Sequence, residues 1–189
     1  MNTNDFNINV KEGGICEDMV RDKFKVVFEP ILQQFVYGNS ITETQKQRNG
    51  IDFNITHNEL SFDVKCRDFY AYQFKDILLE TVSVVEDEKP GWLYSSKSDV
   101  IVYVWKNETG KKFIDGYLLF MNNIREFLKQ YLKIHTPLQK RAVSVRGTRR
   151  WHTDNIAIPI KDFNSDCIKK INIKELYPPQ QDVLSKWFE

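Results

Sequence analysis

The strongest constraint on this chain's fold is the alternation in GIDFNITHNELSFDVKCR, residues 50–67. Ile51, Phe53 and Ile55 alternate with polar residues. After the polar pair His57–Asn58, Leu60, Phe62 and Val64 do the same. A period of two is the mark of a strand with one buried face. Asn is among the residues that tolerate the positive φ of tight hairpin turns. A turn centred on His57–Asn58 sets Ile55 opposite Leu60, Phe53 opposite Phe62 and Ile51 opposite Val64. A longer loop with the same centre gives the same pairs. A slip of one residue would scramble both faces, so the pattern fixes the register.

The other face of the ribbon then carries Asn54 opposite Ser61, Asp52 opposite Asp63 and Gly50 opposite Lys65. Directly opposed residues have Cβ atoms roughly 4.5–5.5 Å apart, and like charges so placed destabilise a sheet. Two converging carboxylates suit a hard divalent cation such as Mg²⁺, which binds through one or two carboxylates together with water and substrate phosphates. Lys65, two residues beyond Asp63, projects on the same side. There it could orient water or stabilise a phosphate as charge builds. The same face also reads as a solvated polar ribbon.

The 189 residues suit one domain with a substantial core. Lys and Arg number 27 against 26 Asp and Glu, so nucleic-acid binding cannot rest on overall charge and needs a local cluster. QKRAVSVRGTRRWHT is such a cluster. It holds Lys140, Arg141, Arg146, Arg149 and Arg150, followed by Trp151, and no acidic residue. Cations beside an aromatic suit phosphate contact and base stacking, and equally a solvated basic loop. Cys16, Cys66 and Cys167 form no CxxC pair, and the odd, sparse count predicts reduced thiols. Cys66 is expected on the packed face of its strand. His57, His135 and His152 lack metal-ligand spacing, which argues against a zinc enzyme. There is no G-x-S-x-G, P-loop or G-x-G-x-x-G motif. Apolar runs such as VIVYVW are too short to cross a bilayer, and the polar start has no signal-peptide core. The expectation is a cytoplasmic protein without membrane contact.

Residues 1–12 read as a flexible N-terminus and 13–189 as a single domain. The spacing of Ile15, Met19, Phe24, Val27 and Phe28 predicts a helix, with Pro30 kinking it or opening the next, until Gly38–Asn39–Ser40 stops it. Strands are predicted in FKDILLETVSVV, KSDVIVYVW, KFIDGYLLF, RAVSVRG and NIAIPI. NNIREFLKQYLKI predicts a helix capped by Asn122 or Asn123, with Ile124, Phe127, Leu128, Tyr131 and Leu132 as its core stripe. PQQDVLSKWF predicts a terminal helix. The fold class expected is α/β, a central mixed β-sheet flanked by helices.

Asp52 at one strand and Asp63-Val64-Lys65 on the next resemble the signature of the PD-(D/E)XK superfamily, the restriction-endonuclease-like nucleases. GGICEDMV is similar to the first-helix segment of the Holliday-junction-resolvase-like branch, where a Glu joins the metal site; here that residue is Glu17. ILLETVS is similar to the strand after Asp-x-Lys and sets Glu80 near the site. GWLYSSKSDVIVYVW resembles the helix-then-strand segment that follows, from which Lys97 could reach a phosphate. The likeness runs in order over residues 13–105, leaving 106–189 as additional strands and helices, and departs from the common pattern in having Ile51 where many members have Pro. It implies a restriction-endonuclease-like core and Mg²⁺- or Mn²⁺-dependent phosphodiester hydrolysis in DNA, most simply as an endonuclease. Asp52, Asp63, Glu17 and Glu80 would be the metal ligands, Asp52, Asp63 and Lys65 the catalytic set, and Lys97, Arg141, Arg146, Arg149, Arg150 and Trp151 the nucleic-acid contacts. Cutting both strands of a duplex would call for a homodimer, for which no face is legible. The alternative is a module of this fold without catalysis, binding nucleic acid or a protein.

Overall fold

The computed structural model describes residues 14–23, 53–55, 60–146 and 148–177. Several sequence expectations fall outside them: the flexible start, Phe24 to Ser40, Asp52, the His57–Asn58 turn and the terminal helix.

Helix α1 covers 14–23. The hairpin strands β1 (Phe53–Ile55) and β2 (Leu60–Arg67) follow. Their register pairs Phe53 with Phe62, Asn54 with Ser61 and Ile55 with Leu60, as the alternation requires. A 3₁₀ turn over Phe69–Phe74 leads into β3 (Asp76–Val84). Then come β4 (Lys89–Pro90), the single-turn helix α2 (Trp92–Ser95), β5 (Val100–Lys106) and β6 (Phe113–Phe120). Helix α3 (Met121–Ile134) precedes the long hairpin β7 (Leu138–Arg146) and β8 (Arg149–Pro159). Strand β9 (Ile168–Lys170) and α4 (Ile173–Leu176) complete the described chain.

The expected single central sheet is in fact two. One has the order β1-β2-β5-β6-β9 and the other β4-β3-β8-β7. The first is mixed, since β5 lies parallel to β2 and antiparallel to β6. β3 leaves this sheet because it pairs along its length with β8, more than seventy residues onward in the chain. No local pattern announces that choice.

Strand β5 explains the layering. Its residues Val100 to Trp105 are all buried, as expected of a strand covered on both faces. Val100, Val102 and Val104 join Phe62, Val64, Leu118, Cys16 and Val20 in a core beneath α1. Ile101, Tyr103 and Trp105 point the other way, into a core with Ile77, Leu79, Ile156 and Ile158 of the second sheet and Ile124 and Leu128 of α3. On α1 the buried positions are Cys16 and Val20, while Ile15 is exposed, so the apolar face is rotated one residue from the predicted stripe. On α3, Leu132 is exposed and drops out of the predicted stripe. The N-cap of α3 is Phe120, because β6 runs directly into the helix, and Asn123 donates instead to the carbonyl of Asp166.

Cys16 and Cys66 are joined as a disulfide from α1 to β2, with Cα atoms 6.5 Å apart, inside the usual range. This corrects the expectation of reduced thiols for two of the three cysteines. Cys66 does lie on the packed face of β2, beside Val64 and α1. Cys167 is free and buried, and burial pushes its thiol up to about 11. None of the helices among the described residues is long and apolar enough to cross a membrane.

Candidate active site

Strand β2 has two unlike faces. Phe62, Val64 and Cys66 enter the core under α1. Ser61, Asp63, Lys65 and Arg67 occupy the alternate positions and share a face with Ile101, Tyr103 and Trp105 of β5. Asp63 is therefore carried inward, only 2% exposed. A buried carboxylate needs a partner, and Lys65 supplies it. Its Nζ lies 2.7 Å from Oδ1 and 2.6 Å from Oδ2 of Asp63. Oδ1 accepts an aligned hydrogen bond; Oδ2 is in ionic contact yet accepts none, although it is buried. The ammonium neutralises Oδ2 without an aligned hydrogen bond, which leaves lone-pair capacity on that oxygen for a further partner.

Two further carboxyls sense this pair. Glu17 projects from α1, the neighbour of Cys16. Its pKa is raised, first by burial and next by the charge of Asp63, with Lys65 opposing. Glu80 sits on β3 in the second sheet. Burial raises its pKa most, the Trp92 N–H and Lys65 oppose that, and Asp63 adds to it. Three carboxyls on three separate elements thus lie within electrostatic reach of one ammonium, though only Asp63 is in contact with it.

Local structure explains how Glu80 is held. Its Oε1 accepts from the backbone N–H of Trp92 at 3.2 Å. The preceding residue, Gly91, passes so close to β3 that a Cβ there would stand 2.3 Å from the Glu80 carbonyl oxygen. Only glycine fits this approach. The Gly91 N–H also donates to the Thr81 carbonyl at 2.9 Å. At the start of β2, Ser61 is tied to β5: its N–H and Oγ donate to Asp99 Oδ2 at 2.8 and 2.7 Å. Gly91, Ser61 and Asp99 were not singled out by sequence reasoning. The Pro-Gly pair before an aromatic run was the available signal for Gly91; nothing local marked the other two.

The remaining expected residues are placed as follows. Asp52 lies outside the described residues. Among the described residues, no three His, Cys, Asp or Glu side chains form a group able to hold a metal ion by themselves. Lys97 is exposed in the loop before β5, its carbonyl accepting from Ser61 Oγ at 3.4 Å. The basic cluster forms the β7–β8 hairpin. Arg141 pairs with Asp154 through two hydrogen bonds of 2.6 and 2.7 Å. Arg149 contacts Asp87 at 2.7 Å and stands 6.0 Å over the ring of Trp151. Arg150 is exposed and Trp151 half-buried. Arg146 ends β7, with its side chain outside the described residues. The acidic residues missing from the linear segment are thus supplied by β8 itself and by the β3–β4 loop. There Glu86 also pairs with His152 at 2.5 Å, and the His152 backbone and ring hold its carboxyl down at about 2. Two of the expected phosphate-binding arginines are already engaged within the protein.

No protein-family model, curated protein or solved structure matches the chain.

Proposed function

We propose that the protein is a metal-dependent nuclease that hydrolyses phosphodiester bonds in DNA. The observation behind the proposal is the buried Asp63 carboxylate, with one oxygen accepting no aligned hydrogen bond, held by Lys65 and sensed electrostatically by both Glu17 and Glu80. Three carboxyls against one ammonium leave a surplus of negative charge, and perturbed carboxyls of this kind cluster at functional sites. A hard cation, Mg²⁺ or Mn²⁺, complements such a set. Asp63 with Asp52 would hold it, and Glu17 or Glu80 would complete the ligands. When bound, the cation supplies an acidified water and offsets charge on the scissile phosphate.

The chain's own residues do the positioning. Lys65 has three donors and spends one on Asp63. Another can orient the attacking water or meet a phosphate oxygen as charge develops. Burial of Asp63 keeps bulk water from screening it, which strengthens every interaction it makes. Glu80 is oriented by the Trp92 N–H. Lys97 and Arg150, both exposed, would meet substrate phosphates.

The absence of a three-ligand group among the described residues favours a second reading, a module of the same fold that binds nucleic acid or a protein without cutting. Cleavage decides between them. The protein and its Asp63→Ala variant are incubated with duplex, single-stranded and branched DNA, in Mg²⁺, in Mn²⁺ and in EDTA. The nuclease reading expects cutting that needs metal and is lost in the variant. A folded protein that neither cuts any of these substrates nor binds metal leaves the second reading.

A further inference from the structure

Immediately after the Asp-x-Lys strand, the segment FYAYQF forms the 3₁₀ turn between β2 and β3. Its aromatic residues divide by role. Tyr72 packs inward, edge-on to Trp105 with ring centroids 5.9 Å apart. Phe69, Tyr70 and Phe74 point outward, exposed by 39%, 71% and 58%. Single exposed aromatics need no explanation, but three within the six residues of one turn do. Phe69 and Tyr70 brace each other in a T-shaped contact at 5.7 Å.

The surroundings are cationic. Lys140 reaches over from β7 with its Nζ 4.6 Å above the Phe74 ring. Lys75 follows Phe74 directly, in a left-handed backbone conformation, and lies against Tyr72. Arg67 precedes the turn and donates to the Tyr103 hydroxyl at 2.7 Å. Lys106 adds a fourth cation; among the described residues Asp68, Asp76 and Asp115 stand against these, paired with Lys106, Lys140 and Lys170. Exposed ring faces within a net positive rim are the combination that recognises single-stranded nucleic acid: bases stack on the rings while cations meet the backbone. An apolar protein partner would gain nothing from the cations.

We infer that Phe69, Tyr70 and Phe74 form a base-stacking platform for unpaired DNA, so that the substrate of the Asp63–Lys65 site contains a single-stranded stretch. This rests on the nuclease reading of that site. Six residues of extended chain separate Asp63 from Phe69, roughly 20 Å, which a few nucleotides of extended strand span. Duplex DNA cannot use the platform, because its bases already stack on one another.

The test is binding without cleavage. In EDTA, fluorescence anisotropy is followed with labelled oligothymidine of about 20 nucleotides and with a blunt duplex of the same length. The comparison is between the wild type, the Tyr70→Ala/Phe74→Ala double variant and the Tyr70→Phe/Phe74→Tyr pair. The alanine variant should bind the single strand about tenfold more weakly or worse, with duplex affinity unchanged. The aromatic pair should stay close to wild type. Because these side chains are exposed, all three should melt alike. A wild type that does not bind oligothymidine, or an alanine variant that binds it as well as wild type, overturns the platform. So does an equal loss on the duplex, or a wild-type dimer in sedimentation that the alanine variant dissolves, since the patch would then cover a second copy. The two proposals fail separately. Stacking-dependent binding with no metal-dependent cutting removes the nuclease alone; cutting with unaltered binding in the alanine variant removes the platform alone.

Discussion

Replacing Lys65 with alanine would leave the Asp63 carboxylate buried without its cation. Removing one member of a buried pair costs roughly 3–5 kcal/mol, mostly the desolvation left unrepaid on the other. Lys65 keeps 29% of its side-chain surface, so water admitted at its place recovers part of that. About 2–3 kcal/mol is the expected loss. For a chain of this size that lowers Tm by roughly 4–12 °C. The double variant Asp63→Asn/Lys65→Met removes both charges and should lose much less. Mg²⁺ should raise the Tm of Lys65→Ala more than that of wild type, because the cation replaces the missing ammonium. Thermal unfolding of the three proteins with Mg²⁺ and with EDTA measures all of this. A Lys65→Ala protein as stable as wild type, or a double variant as damaged as the single one, would refute the idea that the pair neutralises a buried charge cluster.

Two other substitutions probe how Glu80 is set. Its raised pKa means that its protonated form stabilises the fold: that contribution is full below the ordinary value of 4.5 and is lost as pH rises through the higher folded value. Glu80→Gln cannot ionise, so its urea midpoint should fall less than the wild type's as pH rises above 4.5. Gly91→Ala should lower Tm, because the new Cβ would lie 2.3 Å from the Glu80 carbonyl oxygen and 2.5 Å from its carbon, both backbone atoms that must move; overpacking of this kind costs about 1–3 kcal/mol. The control is Gly14→Ala, whose Cβ meets nothing within 4 Å and should be neutral.

Period-two alternation made the hairpin register readable residue by residue, since one slip would have mixed polar and apolar residues on each face. The run Val100 to Trp105 was readable as a strand, while its cover on both faces is a finding of the fold. Sheet membership was not readable: whether β3 extends the first sheet or founds a second depends on β8, far along the chain. Cys16 and Cys66, fifty positions apart, carry no local sign of pairing. The same limit applies to the site. Asp63 and Lys65 share a face because they are two apart on a strand, and that is visible in the sequence. The approach of Glu17 and Glu80 to them arises from packing and entered the sequence reading only through a family likeness. The basic hairpin shows a further limit, since its own segment holds no acidic residue and yet Arg141 and Arg149 are paired, by Asp154 and Asp87.

The Cys16–Cys66 bond also changes the connectivity of the molecule. It closes residues 16–66 into a covalent ring, and Glu17, Asp52, Asp63 and Lys65 are all members of it. Severing the backbone at one point between residues 16 and 66 would open that ring without separating its parts. The acidic residues and their lysine would remain on one covalent molecule, so a peptide cut there would not by itself dismantle the candidate site.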